Sequence, residues 1–334
     1  MAVSTLIITC PCALALAAPV AQVVASGRLF KNGVYLRSGD ALERFAEIDH
    51  IVLDKTGTLT LGTPQLVQGP AETLPLAAQL ARISRHPLSR AIVDAAGPGP
   101  VAQQARERPG LGIEGQIDGT ICRLGSAEWV GLDAAPGSDG PNLWFGAGDD
   151  VPVQFRFEDQ LRADASETLD ALRQSGLSVE ILSGDTEPAV RKIANALHVD
   201  SWRAKVSPQG KADRLEALNG SGKHVLMVGD GLNDAGALSI AHASLAPGGA
   251  MDVSQSASDA VYSGGLSGIR TVLMVSKRAR AVMLQNFGLA AAYNFIAVPI
   301  AVTGNVTPLI AAIAMSASSL VVTLNALRLN GGET

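Results

Sequence analysis

The sequence predicts an α/β protein in which a parallel sheet flanked by helices carries an inserted α+β domain and is bracketed by transmembrane helices. Three observations lead there. Between residues 28 and 282, short apolar strands alternate with amphipathic helices, the pattern of a parallel sheet covered on its faces. Within that region residues 63–154 are rich in Gly and Pro and have strand-like stretches of their own, as a separate inserted domain would. Three stretches, 1–27, 283–303 and 306–328, are apolar for long enough to cross the roughly 30 Å of bilayer hydrocarbon as helices.

Composition sets the outer limits. A chain of 334 residues exceeds the roughly 250–300 that one hydrophobic core sustains, so at least two units are expected. Hydrophobic residues make up 47% and charged ones 17%, which places part of the chain in lipid. A net charge of −5 provides no basic stripe for a phosphate backbone and excludes nucleic acid as a partner. The three cysteines, Cys10, Cys12 and Cys122, form no disulfide framework, and Cys122 in an alternating Ile-Cys-Arg-Leu stretch reads as a buried strand residue.

The elements follow in order. No charged side chain precedes Arg28, so the first stretch lacks the basic start of a signal peptide and reads as a spanning helix, broken near Pro11 and Pro19. A chain that opens almost in the membrane is expected to have lost earlier segments. Arg28, Lys31 and Arg37 follow the first span, Lys277, Arg278 and Arg280 precede the second, and Arg328 follows the third. By the bias of basic residues, all three flanks and the large middle region face the cytoplasm. In the middle region HIVLD, SVEIL and HVLMV read as strands, and helices are expected near Ala165–Ser175 and Pro188–Leu197. The phosphorylating core is thus expected over 28–62 and 155–282, with the insertion at 63–154.

The chemistry lies at the strand ends. HIVLD ends on Asp54 and runs into Lys-Thr-Gly-Thr-Leu-Thr, placing a carboxylate at the C-terminal edge of a parallel sheet, where open α/β sheets build their sites. Such a carboxylate can attack a γ-phosphate, with Gly57 permitting a tight turn and Thr56 and Thr58 offering donors to its oxygens. Gly229-Asp230-Gly231-Leu232-Asn233-Asp234 closes another strand, and its carboxylates suit Mg²⁺. Ser183-Gly184-Asp185 ends a third strand, and Lys211 supplies an ammonium for charge developing in flight.

DKTGTLT followed at a distance by GDGLND resembles the P-type ATPases, whose phosphorylation domain has a haloacid-dehalogenase-type fold. The resemblance makes Asp54 the phosphorylated residue, Asp54, Asp230 and Asp234 the Mg²⁺ ligands, and Lys211, Thr56 and the Ser183-Gly184-Asp185 loop the phosphate-binding elements. A soluble phosphatase is disfavoured, because Thr56 stands where such enzymes place a second Asp. In the insertion, His86-Pro87 with Gly110 and Gly112 downstream resembles the adenine site of the heavy-metal branch of these pumps. Two positions depart from that pattern: Ala81 stands where the branch has Glu, and Ser126 where it has Asn.

The transported ion is read from the spans. Cys10-Pro11-Cys12 puts two thiols at a helix opened by proline, suited to Cu(I) first, with Zn²⁺, Cd²⁺ and Ag(I) as competitors. No Asp, Glu, Lys or Arg lies between Met283 and Leu327, and neutral donors suit a monovalent soft ion. Asn286, Tyr293-Asn294 and Pro299, with Met315, Ser318, Ser319 and Asn325, are spaced as in the copper-transporting type IB ATPases. By that resemblance Cys10, Cys12 and Tyr293 form one Cu(I) site, and Asn294, Met315 and Ser319 another. It also implies ATP as the energy source, a lipid bilayer, here a bacterial inner membrane, and copper delivered by a chaperone. SRHPLSRA and MSASSLVVTLNALRL resemble the bacterial subgroup that supplies copper to respiratory oxidases. Zinc or cadmium transport, a truncated form that phosphorylates without transport, and a non-catalytic metal-binding membrane protein stay open as alternatives. No Thr-Gly-Glu loop is present to catalyse dephosphorylation, so the chain is expected to phosphorylate but turn over poorly.

Overall fold

The computed structural model describes residues 6–8, 12–132, 140–230, 232–250, 252–304 and 306–331. In chain order these form α1 (Cys12–Lys31), β1 (Val34–Leu36), α2 (Ala41–Glu47), β2 (His50–Asp54), β3 (Thr60–Gln68), α3 (Leu74–Ala81), α4 (Pro87–Ala96), β4 (Gln103–Arg108), β5 (Gly112–Ile117), β6 (Thr120–Gly125), β7 (Asn142–Ala147), β8 (Val153–Leu161), α5 (Ala165–Gln174), β9 (Ser178–Leu182), α6 (Glu187–Ala196), β10 (Ser201–Arg203), α7 (Pro208–Gly220), β11 (Val225–Val228), α8 (Ala235–Ile240), β12 (Ala243–Pro247), α9 (Asp252–Ala257), β13 (Ala260–Tyr262), α10 (Ser267–Val302) and α11 (Pro308–Leu327). The chain divides into two compact units, Met1–Leu53 with Ser166–Val179 and Pro208–Thr334, and Asp54–Ala165 with Glu180–Ser207. The boundary runs through β2, whose last residue is Asp54.

The first unit holds the strand run β1-β13-β12-β11-β2, parallel except for antiparallel β1. β2, β11 and β12 are buried along their whole length, as central strands of a parallel sheet covered on both faces must be. Leu42 and Phe45 of α2 are fully buried.

Among the described residues, three helices are long and apolar enough to cross a membrane, Leu6–Lys31, Ser267–Val302 and Pro308–Asn330. The expected break at Pro19 is absent: α1 continues through it. A proline removes one helix hydrogen bond, here that to the Ala15 carbonyl, and a spanning helix packed among others tolerates the loss. The break expected at Pro11 lies outside the described residues. Ala13, Ala17, Ala21 and Ala25 recur every fourth position and are buried, giving α1 a face of small side chains on which α10 and α11 approach closely.

The second span is part of a longer helix than expected, starting at Ser267 and not near Met283. Ile269, Val272, Leu273, Ser276, Ala279 and Met283 are buried at spacings of three and four, so the basic residues Lys277, Arg278 and Arg280 fall on the other face without interrupting it. The third span forms as expected. Thr307 accepts a hydrogen bond from the Ile310 amide (3.3 Å) and Pro308 takes the first helical position. Phe295 is 83% exposed and Leu309 71%, large apolar side chains that find no protein cover and suit lipid.

The second unit contains an antiparallel sheet ordered β3-β8-β7-β6-β5-β4, with alternate residues of β5 buried. Its core joins Leu80, Ile92, Ile113, Leu124, Phe145, Phe155 and Phe157 from the sheet, α3 and α4. Ala81 is fully buried in this core, so that position serves packing in this chain. Cys122 on β6 is a buried free thiol whose pKa is pushed up by burial and then by Asp118 and Asp150. β9 pairs in parallel with β10. The helices expected at 165–175 and 188–197 are α5 and α6.

Candidate functional site

β2 delivers Asp54, 5% exposed, to the C-terminal end of the strand, where the backbone leaves extended and enters a wide turn over Lys55–Leu59. Gly57 sits in this turn at φ +69°, a left-handed conformation that other residues adopt only with strain. The Gly57 amide donates to Thr60 Oγ1 (3.2 Å), and that hydroxyl donates to the Lys55 carbonyl (3.1 Å). Arg162 closes the loop from outside, donating to the carbonyls of Thr58 (2.8 Å) and Gly57 (3.2 Å). Nothing in the local sequence around Arg162 announces this role.

Leu53 of β2 pairs with Val228 of β11, so Asp54 and the Gly229-Asp230 segment leave the sheet at the same edge. Asp230 and Asp234 follow β11 at that edge, and Asp234 is buried. Gly229 makes room for this: a Cβ there would stand 2.8 Å from Cβ, Cγ and Oδ2 of Asp234. Lys211 of α7, 3% exposed, forms an ion pair of 2.6 Å with Asp234, 2% exposed. Lys211, expected at a phosphate, is here paired with a buried carboxylate whose charge it balances. An all-oxygen, multiply acidic donor set fits Mg²⁺.

Asp185, in the loop after β9, is the hub of a second group. Its carboxylate pairs with Lys55 Nζ and accepts from Thr56 Oγ1 (3.3 Å) and Ser183 Oγ (3.2 Å), while its own amide donates to Ser183 Oγ (3.2 Å). Sequence reasoning expected the hydroxyls of Thr56 and Ser183 to face a phosphate; here both are held by Asp185, and Lys55 was missed altogether. Gly184 meets no closer neighbour than the Val206 carbonyl, 3.5 Å from a built Cβ. Thr58 Oγ1 is buried with no hydrogen-bond partner.

His86 caps α4, its Nδ1 accepting from the Leu88 amide (3.3 Å). The His86 amide donates to Ser84 Oγ (3.1 Å), and that hydroxyl donates to Glu107 Oε1 (2.8 Å), tying the His-Pro turn to β4, after which Gly110 follows at φ +80°. Gly112 is needed for packing as well: a Cβ there would lie 2.3 Å from the Leu124 carbonyl, across from Gly125. Ser126, where an Asn was expected, donates its amide to the Leu111 carbonyl (3.1 Å) and accepts from the Trp129 amide (3.2 Å).

Among the spans, Cys10 and Pro11 lie outside the described residues. Cys12 Sγ lies 4.0 Å from Met315 Sδ, bringing together two residues that the sequence reading placed in different sites. Tyr293 Oη and Asn294 Oδ1 are buried and make no hydrogen bond. A cavity of about 190 Å³ is lined by Ala13, Tyr293, Ser318 and Val322, among others. Asn286, fully buried, donates to the Ala17 carbonyl (3.1 Å) and accepts from Asn325 (2.9 Å), so these two asparagines hold helices together. Ser319 accepts through its carbonyl from Thr323 (2.9 Å).

A family model described as haloacid dehalogenase-like hydrolase matches residues 48–242. The nitrogen fixation protein FixI of Rhizobium meliloti (strain 1021) is 46% identical over 342 residues, covering 98% of this chain and 44% of that protein. A copper-transporting P-type ATPase of Rhizobium leguminosarum bv. viciae is 37% identical, covering 98% of this chain and 43% of that protein. Among solved structures, a zinc-transporting PIB-type ATPase in the E2.Pi state matches with TM-score 0.79 and 31% identity over 96% of this chain and 56% of that one. The catalytic domain of the CPx-ATPase CopB-B matches with TM-score 0.64 and 31% identity over 75% of this chain and 98% of that one. The chain thus spans a little under half the length of these curated relatives. Its strand-end aspartates and the family match over more than half its length agree: the chain belongs to the haloacid dehalogenase-like hydrolase family, in the branch of the heavy-metal P-type ATPases.

Proposed function

We propose that the chain carries the ATP-driven step and part of the ion path of a pump for Cu(I), working through an aspartyl phosphate on Asp54. The observation that carries this reading is the parallel pairing of β2 with β11, Leu53 beside Val228, so that Asp54 and the Gly229-Asp230 segment leave the sheet at one edge. A carboxylate oxygen of Asp54 bonds to the γ-phosphorus of ATP as the bond to the β-phosphate oxygen breaks, and ADP departs with that electron pair. The acyl phosphate retains free energy that a later conformational step can use. Asp54, Asp230 and Asp234 would hold Mg²⁺, which when bound neutralises charge on the transferring phosphoryl group. Lys211 keeps Asp234 in place, Arg162 fixes the loop carrying Thr56 and Thr58, and the Ser183-Gly184-Asp185 loop aligns Lys55 beside the nucleophile.

In this proposal residues 28–62 and 155–282 form the phosphorylation domain and 63–154 the nucleotide domain. There His86, its ring fixed by Leu88, and the Gly110 turn receive the adenine. In the membrane, Cys10 and Cys12 with Tyr293, and Met315 with Asn294 and Ser319, supply thiolate, thioether and neutral oxygen donors. The 4.0 Å separation of Cys12 and Met315 sulfurs and the unpartnered oxygens of Tyr293 and Asn294 support ligation by these residues. The setting is a bacterial inner membrane with the catalytic units cytoplasmic, and copper reaches it from a chaperone.

Phosphorylation of the detergent-purified chain by γ-labelled ATP and Mg²⁺ tests this. Acid-stable, hydroxylamine-sensitive labelling stimulated by Cu(I) under reducing conditions, and lost in Asp54→Asn, is expected. Labelling that survives Asp54→Asn removes the nucleophile assignment, and stimulation by Zn²⁺ in place of Cu(I) overturns the choice of ion.

A further inference from the structure

Glu47, His224 and His242 come from three separate places: the last residue of α2, the residue before β11, and the turn between α8 and β12. One ligand atom from each lies within 4.8 Å of the other two. The cluster stands where β11 begins, the opposite end of that strand from Asp230. We propose that these three side chains form a binding site for a divalent ion of the zinc class, distinct from the aspartate cluster and from the sulfur ligands of the spans.

One edge of the site is already at ligand spacing. His242 Nε2 lies 3.2 Å from Glu47 Oε2, yet it is a buried atom that makes no hydrogen bond. Ligand bonds of about 2.0–2.1 Å in a tetrahedral zinc site put neighbouring ligand atoms about 3.3 Å apart, so this pair already has the length of one tetrahedral edge. The two imidazoles have centroids 4.5 Å apart with planes inclined at 49°, an arrangement that is not a face-to-face stack. The supports are in place as well. The His224 amide donates to Asp49 Oδ1 (3.2 Å), its carbonyl accepts from the Asp49 and His50 amides (3.2 and 3.3 Å), and Arg280 lies 3.3 Å from Glu47 Oε1. Contacts of this kind orient metal ligands and hold them ready.

Donor chemistry selects the ion. Two imidazole nitrogens are too soft for Mg²⁺ or Ca²⁺, while one carboxylate favours a divalent over a monovalent ion; exposed His224 leaves a fourth position open to water. Because Arg280 belongs to α10, the helix that runs on to Val302, a bound ion shares the Glu47 carboxylate with the foot of a spanning helix and weakens the Glu47–Arg280 pair.

The test uses the full chain in detergent carrying Cys10→Ser and Cys12→Ser, with excess Mg²⁺ to fill the aspartate cluster, and counts Zn²⁺ by competition with a chromophoric chelator. One Zn²⁺ per chain is expected, with affinity falling at least about tenfold in His224→Ala and in His242→Ala. Co²⁺ in the same background should show the visible bands of a four-coordinate site, lost in both variants. His224 is exposed, so its replacement leaves the core intact and isolates the ligand effect. Absence of a stoichiometric Zn²⁺, or equal Zn²⁺ binding by the His224→Ala/His242→Ala double variant, overturns the proposal.

Discussion

Replacing Lys211 by Met keeps the length of the side chain and removes its charge, leaving Asp234 without its ammonium partner in a site where the two are 3% and 2% exposed and 2.6 Å apart. Breaking a buried pair from one side costs about 3–5 kcal/mol, because the remaining charge keeps its desolvation penalty. For a unit of about 150–250 residues each kcal/mol moves the midpoint by about 2–4 °C, so Lys211→Met should unfold about 6–20 °C below the parent. Thermal unfolding followed by far-ultraviolet circular dichroism in one detergent and buffer reads this directly. The double variant Lys211→Met/Asp234→Asn removes the stranded charge and should recover most of the loss. A single variant that melts within about 1 °C of the parent, or a double variant no more stable than the single, refutes the claim that Lys211 compensates a costly buried carboxylate.

Gly229→Ala forces a methyl against Asp234 at 2.8 Å; overpacking of this kind costs about 1–3 kcal/mol, and Mg²⁺-dependent labelling of Asp54 should fall with it. Arg162→Ala removes the donors to the Thr58 and Gly57 carbonyls, so amides of residues 55–60 should exchange with solvent faster; unchanged exchange would mean that the turn holds its own shape. Cys122 should resist maleimide in the native chain and react on unfolding. Burial raises its folded pKa, so the stability tied to its protonated form is present below the ordinary thiol range and is lost as pH rises through it. Asn286→Leu removes hydrogen bonds to Ala17 and Asn325 and should lower helix-bundle stability by about 0.6–1.7 kcal/mol in a melting assay, with no effect on melting counting against a structural role.

Much of the sheet was legible because its strands announce themselves twice, by apolar runs and by the residues that follow them. HIVLD, SVEIL and HVLMV are all strands, and Asp54 at the end of the first and Asp230 beyond the third leave the sheet at one edge because a parallel ladder aligns strand ends. The start of α10 was not legible. Residues 267–282 carry Arg270, Lys277, Arg278 and Arg280, which resemble a soluble segment until their placement opposite a continuous buried stripe is seen. Pro19 misled for the opposite reason: proline costs a helix one bond wherever it stands, but the packing of α1 outweighs that loss.

In the site, residue types were readable and partners were not. A strand-end Asp can be recognised alone, whereas the partner of a hydroxyl depends on which loops meet. Thus Thr56 and Ser183 turned out to share Asp185, and Arg162 reached a loop more than a hundred positions earlier in the chain. The residues proposed as membrane ligands show the same limit in another form. Cys12 and Met315 were assigned to separate sites by resemblance, and spacing along one helix, which tells only which residues share a face, could not correct that. Which faces meet is set by how helices cross, and here the small-residue face of α1 lets α11 come close enough to bring those two sulfurs to 4.0 Å. That approach is made by alanines, which have no side-chain donor of their own. In the proposed soft-metal path, small side chains that carry no chemistry of their own set how near the two sulfurs come, and larger residues at Ala13 or Ala17 are expected to push Cys12 and Met315 apart.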